Sequence, residues 1–567
     1  MDPSGIGSGV SPNSKNAAIR SAERSRYDRW WKNAVVYCLD VETFLDSNRD
    51  GVGDFGGLLN RMDYLANLGI DCVWLMPFYP TANLDDGYDV TDYYGVDKRL
   101  GDQGDFDSFV RAARYYGIRV IADLVINHTS RDHPWFQDAR TGPEARYHDY
   151  YVWQDERPDD WKTALVFPGE QIENWTYDRT AKSYYLHHFY SHQPDLNPNN
   201  PDVRQELTEI LSFWVQLGLS GFRVDAVPFL IELGGIEAQL EITPHGLLKD
   251  LAALLSRRQG DAILLGEVNL PPGQAAEFFG EGDELQMLFN FHVNQYLHLA
   301  LVRRDADPIR KAIADLPQIP ENCQWANFLT NHDELTLDQL TEGERQEVFE
   351  ALGPDSGMRL YDRGIRRRLP PMLDGDQDRL RLAYSVLFSL PGTPVLFYGE
   401  EIGMGENLDI PDRYAVRSPM QWDPSPGGGF SDVPVEEFRR PPPTGPYSPE
   451  EVNVRGQIDD PDSTLSWMRH LIQRRRNLPE LGLGDYSLVE VGSSKVLAIL
   501  FEWAGRTLLT LHNFSGRPVD VDITDHIAEE PGIDVWSDSH YQPADGSFAL
   551  SANGFRWIRI GAEKPLV

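Results

Sequence analysis

Residues Gly221–Val227 read GFRVDAV, a short apolar run carrying an arginine and an aspartate two positions apart. On an extended strand, positions i and i+2 point the same way, so Arg223 and Asp225 share one face. Apolar residues fill the rest of the run, as expected of a strand buried on both faces of a parallel sheet. Seven other runs have the same character: Ala34–Leu39, Asp71–Met76, Arg119–Ile126, Ile263–Glu267, Met287–Phe291, Trp325–Thr330 and Pro394–Gly399. Between several of them lie helix-like segments, LLNRMDYLANLG, DFDSFVRAARYYG and RQELTEILSFWVQLG, each closed by a glycine. Eight strand-plus-helix units predict an α/β fold, a (β/α)8 TIM barrel.

Working outward, the barrel is expected over 28–129 and 196–482. Residues 130–195, rich in Trp, Tyr, His, Pro and Asp, read as a subdomain inserted after strand 3. Residues 334–379 read as a charged, helical lid. From 483 to 567 the pattern changes to alternating strands, predicting a C-terminal antiparallel β-sandwich. Residues 1–27 read as a disordered tail.

The chain has 567 residues and a formal charge of −36. Such a surface repels phosphate backbones and anionic lipid, which argues against nucleic acid and membrane partners and for a neutral small molecule. Three cysteines, Cys38, Cys72 and Cys323, form neither a disulfide framework nor a zinc pattern. With no apolar leader segment and no bilayer-length run, the expectation is a cytoplasmic protein. A homo-oligomer stays open.

In a barrel, chemistry gathers at the C-terminal strand ends. Strand 3 ends DLVINHTS, placing Asp123, Asn127 and His128 there; strand 5 is ILLGEVN, with Glu267; strand 7 ends FLTNHDE, with Asn331, His332 and Asp333. The cation Arg223 is expected to keep Asp225 ionised, as a nucleophile requires. Glu267, among apolar residues, is expected to titrate high, as an acid requires. Two carboxylates in unlike environments are the equipment of glycosidic bond cleavage with retention.

DLVINH, GFRVDAV, LLGEVN and FLTNHD resemble the four conserved blocks of the α-amylase superfamily, glycoside hydrolase family 13. QPDLN at 193–197 resembles a fifth block, in the form found in its oligo-1,6-glucosidase-like branch. The resemblance implies Asp225 as nucleophile, Glu267 as acid/base and Asp333 as third acid. It implies that Arg223, His128 and His332 hold a glucosyl ring. Asp85 and Tyr88, in DDGYDVTDY, would floor the first subsite, with Asp85 paired to Arg417 of RSPMQW. WFQDAR, AVPFL, NHDELTL, GIRRRLPPML and GEEIGMGEN add a resemblance to the trehalose synthase subgroup, which isomerises maltose to trehalose. Ala226 after the nucleophile is the choice of members acting on α-1,4 bonds. Glu42 departs from the branch, which carries a basic residue there. The implied function is a maltose/trehalose isomerase acting on short α-glucosides. An α-glucosidase or transglucosylase is the alternative, and a non-catalytic amylase-fold partner protein the remote one.

DSNRDGVGD, Asp46–Asp54, has the oxygen donors of an EF-hand loop, but Gly57 stands where the bidentate glutamate would be. In the branch this run is a structural metal loop. The resemblance implies a structural Ca2+ (Mg2+ the alternative) on Asp46, Asn48, Asp50, the Val52 carbonyl and Asp54, and no organic cofactor. A second site would use Asn127, Asp195, the carbonyls of Phe229 and Leu230, and Glu232.

Overall fold

The structure is a computed structural model that describes residues 29–159, 165–167, 171–230, 244–524, 532–536, 539–541 and 547–561. The expected tail and Glu232 lie outside the described residues. The eight apolar runs form strands β1 (Val36–Leu39), β2 (Cys72–Leu75), β3 (Arg119–Leu124), β4 (Gly221–Val224), β5 (Ile263–Gly266), β6 (Met287–Phe289), β7 (Gln324–Asn327) and β8 (Thr393–Phe397). They close a parallel barrel in the order β1-β8-β7-β6-β5-β4-β3-β2. Val36 pairs with Cys72 on one side and Val395 on the other, so no edge is left open. Almost every strand residue is buried, as runs covered on both faces require.

The strands stop earlier than the apolar runs do. β4 ends at Val224 because Ala226 turns to φ 49, outside the extended region. Asn127, His128, Asp225, Glu267 and Asp333 therefore stand just beyond strand ends, on segments free to aim their side chains across the mouth. The helices follow the expected punctuation. The first segment divides into α1 (Phe55–Leu59) and α2 (Met62–Leu68), and α2 ends on left-handed Gly69. α3 (Gln103–Tyr115) starts on a capping box built by Asp102 and Asp105.

Within 130–195 there is a helix, Pro134–Ala139, and a three-stranded antiparallel sheet of Trp153–Gln154, Ser183–Leu186 and Trp175–Asp178. Isolated bridges from His128 to Asp195 and from Tyr151 to Leu196 tie this segment to the barrel mouth. Residues 334–379 hold a helix, Glu342–Leu352, and a sheet of Leu335–Thr336, Gly364–Ile365 and Arg359–Leu360. Beyond Asp485 the chain forms a six-stranded antiparallel sheet and a two-stranded one. Val521 and Leu550 of the small sheet pack on Ala498, Leu509 and Ile558 of the large one. All three cysteines are buried free thiols. Among the described residues, no helix is long and apolar enough to cross a membrane.

Candidate active site

The barrel mouth is organised around one guanidinium. Arg223 is almost wholly buried, and its Nη1 donates to Asp123 Oδ1 and to Asp225 Oδ1, each at 2.5 Å. Its Nη2 lies 2.8 Å from Glu267 Oε2. The expected Arg223–Asp225 pair is thus present, and the same cation also ties in Glu267 from the neighbouring strand. Charge-assisted contacts of this length are among the strongest available to fix side-chain geometry.

Three carboxylates around one cation leave an excess of negative charge at the barrel mouth. Burial pushes Asp225 up to about 6, with Asp123 adding repulsion and Arg223 opposing both. Burial likewise puts Asp123 at about 6, against Arg223 and the Trp74 indole N–H. Glu267 also titrates above its ordinary value, through burial and the nearby Asp225 and Asp333 charges, opposed by Arg223 and the Ala226 N–H. The expectation for Glu267 agrees in direction. Arg223 opposes the burial without cancelling it, and at about 6 Asp225 is a carboxylate at neutral pH.

Asp333 has the opposite setting. Although burial opposes it, His332, Arg413 and Arg417 hold its carboxyl well below the usual range. Arg413 and Arg417 each donate to Asp333 Oδ1 at 2.9 Å, and His332 Nε2 lies 3.1 Å from Oδ2. Tyr88 stacks on the His332 ring, with its hydroxyl 2.7 Å from Nε2. His128 points its Nε2 at the Tyr88 carbonyl, 3.1 Å away, and burial lowers its pKa.

These groups surround a cavity of about 250 Å³. Asp85, Tyr88, His128, Asp225, Glu267 and Asp333 all line it. Arg417, Arg223 and His332 do not: all three are buried, Arg417 behind Asp333, so the expected ring-holding residues Arg223 and His332 stand behind the lining. The expected Asp85–Arg417 pair is also absent. Asp85 Oδ1 instead accepts from Arg413 Nη2 at 2.6 Å, while Arg417 Nη1 donates to Asp86 Oδ2 at 2.6 Å. Arg413 and Arg417 sit four apart at a 3-10 turn over Asp412–Val416, so one faces the cavity and the other the interior. Arg413 is the cavity-lining arginine missed in the sequence, although it lies in the same run as RSPMQW. Glu42, the departure at β1, is buried against Arg99 and Arg439, each at 2.7 Å.

The 46–54 loop is closed by its own hydrogen bonds. Asp46 accepts the N–H groups of Asn48, Arg49 and Gly51, and Asp50 accepts that of Val52. Asp54 caps α1, accepting from Gly57 N–H and from the Ser47 hydroxyl, each at 2.6 Å. A Cβ at Gly57 would stand 1.9 Å from the Leu45 carbonyl oxygen, so this position cannot carry an EF-hand glutamate. The all-oxygen donor types suit Ca2+ or Mg2+, and in this structure the Asp46, Asp50 and Asp54 carboxylates accept hydrogen bonds from the loop itself. Among the described residues, no group of three or more His, Cys, Asp or Glu side chains converges to hold a metal. In the second expected set, Asn127 Nδ2 donates to Asp195 Oδ1 at 3.2 Å, and the His188 N–H and ring also engage Asp195. Protein donors fill that carboxylate.

The alpha-amylase catalytic-domain description matches residues 40–351 and 366–484. The chain is similar to the trehalose synthase of Thermus thermophilus, with 41% identity over 543 residues, covering 95% of this chain and 56% of that longer protein. It is similar to the trehalose synthase/amylase of Mycobacterium tuberculosis, with 39% identity over 546 residues, covering 94% and 90% respectively. Among solved structures, a mutant of the trehalulose synthase MutB in complex with Tris is 28% identical. It has a TM-score of 0.73 and covers 94% of this chain and all of its own, 100%. An isomaltulose synthase mutant from Erwinia rhapontici in complex with D-glucose is 26% identical, with a TM-score of 0.76 and coverage of 94% and 99%. The barrel, its strand-end acids and the family match agree: this chain belongs to the alpha-amylase family.

Proposed function

We propose that this chain is a retaining, α-glucoside-active enzyme whose main reaction interconverts maltose and trehalose by moving a glucosyl group within one site. The observation that carries this is Arg223, which binds Asp225 and Glu267, two carboxylates that line the cavity, through the two arms of a single guanidinium. Retention needs two such carboxylates close together, one ionised and one protonated.

The Asp225 carboxylate attacks the anomeric carbon as Glu267 gives its proton to the glycosidic oxygen. This forms a β-glucosyl ester and free glucose. Asp85, Arg413 and Asp333 face the sugar hydroxyls, and the anionic Asp333 stabilises the positive charge that grows on the ring. Glucose then turns in the cavity, its anomeric hydroxyl gives a proton to Glu267, and its oxygen displaces Asp225. Water in place of glucose yields hydrolysis. The synthase/amylase name of the Mycobacterium relative favours hydrolysis, or transfer to other acceptors, as the alternative outcome.

The covalent step is tested by mass spectrometry after inactivation with 5-fluoro-α-glucosyl fluoride. One fluoroglucosyl adduct is expected on the peptide containing Asp225. Labelling of another carboxylate would overturn the assignment.

The acid limb of the pH profile follows from the Asp225 value. A nucleophile raised to about 6 is active above that pH and protonated below it. We expect kcat/KM for maltose to fall tenfold per unit as pH drops below about 6, measured from pH 8 to 4.5. An acid limb near 4 would show that Arg223 outweighs desolvation.

Ca2+ in the 46–54 loop is proposed on donor types alone, on Asp46, Asn48, Asp50, the Val52 carbonyl and Asp54. It would brace the loop after β1, and no chemical step depends on it. Plasma emission analysis after dialysis is expected to find one equivalent of Ca2+ or Mg2+; none would remove the proposal.

A further inference from the structure

The adjacent aspartates Asp85 and Asp86 aim in opposite directions at two arginines that meet on one oxygen. Asp85 binds Arg413, Asp86 binds Arg417, and both arginines donate to Asp333 Oδ1. The backbone is shaped for this. Asp86 adopts φ 54 and Gly87 φ 95, successive left-handed residues that swing the two carboxylates apart. A Cβ on Gly87 would also meet the Pro77 carbonyl oxygen at 2.8 Å.

The two arms differ in their exposure to the cavity. Asp85 and Arg413 line it, where a bound sugar competes for their hydrogen bonds. Asp86 and Arg417 are sealed behind it, their side chains 2% and 0% exposed. Arg417 spends all three faces of its fork on rigid partners: Nε on the His332 carbonyl at 2.7 Å, Nη1 on Asp86 and Nη2 on Asp333. Asp86 is in turn held by Arg440, which also reaches Asp40 at 3.4 Å.

We propose that Asp86, acting through Arg417, is a positioning residue for Asp333. It keeps the third acid in place from behind the cavity, independently of the Asp85–Arg413 pair that lines it. Asp86 touches no substrate, so its removal should leave binding intact and blunt the chemical step. This rests on the proposed turnover of α-glucosides with Asp333 in the site.

The test is steady-state kinetics on maltose and on p-nitrophenyl α-glucoside for Asp86→Asn and Arg417→Lys, with melting temperatures measured alongside. Asp86→Asn keeps the shape but not the charge. Arg417→Lys keeps the charge but cannot span three partners, and it guards against misfolding of the first variant. For folded protein we expect kcat to fall about 30-fold or more with both substrates while KM stays within about threefold, a pattern reporting lost transition-state interaction. A lowered melting temperature with wild-type kcat, or a loss confined to KM, in either folded variant would overturn the proposal. Absence of turnover by the unaltered protein would instead overturn the functional reading on which it rests.

Discussion

Asp225→Asn lowers kcat/KM for maltose by at least about 10⁴-fold, measured by glucose and trehalose formation, without lowering the melting temperature. The amide is the same size but cannot form the glucosyl ester. A second effect acts in the same direction. Asp225 is one of three acids sharing Arg223. Neutralising it relieves repulsion on Glu267 and leaves that carboxyl a better partner for the guanidinium, which reduces its protonated fraction. The same relief predicts a melting temperature equal to or above that of the unaltered protein, because a crowded set of like charges opposes folding. Retained turnover would remove Asp225 as nucleophile. A sharp fall in melting temperature would show that the Arg223 cluster is held together by this pair more than it is strained by it.

Glu267→Gln separates leaving groups. Maltose departs as a glucose alkoxide that needs a proton, so its turnover is expected to fall about 10³- to 10⁴-fold. A dinitrophenyl α-glucoside leaves without protonation, so the first step on it should fall less than about tenfold, and the glucosyl-enzyme should accumulate because no base activates the acceptor. A pre-steady-state burst of dinitrophenolate followed by slow turnover is the expected trace. Equal losses on both substrates would mean that Glu267 positions the sugar or Asp225 and is not the acid. The free site makes this a real alternative, because Glu267 is ion-paired to Arg223 and also accepts the Ala226 N–H at 3.1 Å. Substrate has to loosen that pair before the proton can reach a glycosidic oxygen.

What could be read from the sequence follows from what local physics controls. The eight strands were legible because burial on both faces demands continuous apolar runs. The acids beyond them were legible because charged residues gather toward the C-terminal ends of those runs. Which arginine lines the cavity was not legible: Arg413 and Arg417 are the same residue type four apart, and only the course of the 3-10 turn decides that Arg413 faces the cavity. Glu42 had no readable reason, since its partners Arg99 and Arg439 come from distant parts of the chain. The donors of the 46–54 loop could be listed from spacing. That Asp54 is committed to capping α1, and that Leu45 excludes any side chain at Gly57, depends on packing that spacing does not carry. The Asp225 value shows the same limit, for a neighbouring cation is visible in GFRVDAV but the depth of burial that outweighs it is not.

Isomerisation and hydrolysis share Asp225, Glu267 and Asp333 and differ in what meets the glucosyl-enzyme. The direct measurement is carbon-13 NMR of the purified protein with maltose labelled at the anomeric carbon of the non-reducing ring, following trehalose, glucose and longer products over time. The account predicts that trehalose appears first and well ahead of free glucose, with the label retained in an α linkage. Glucose as the main product from the outset, or label emerging in a β linkage, would contradict it.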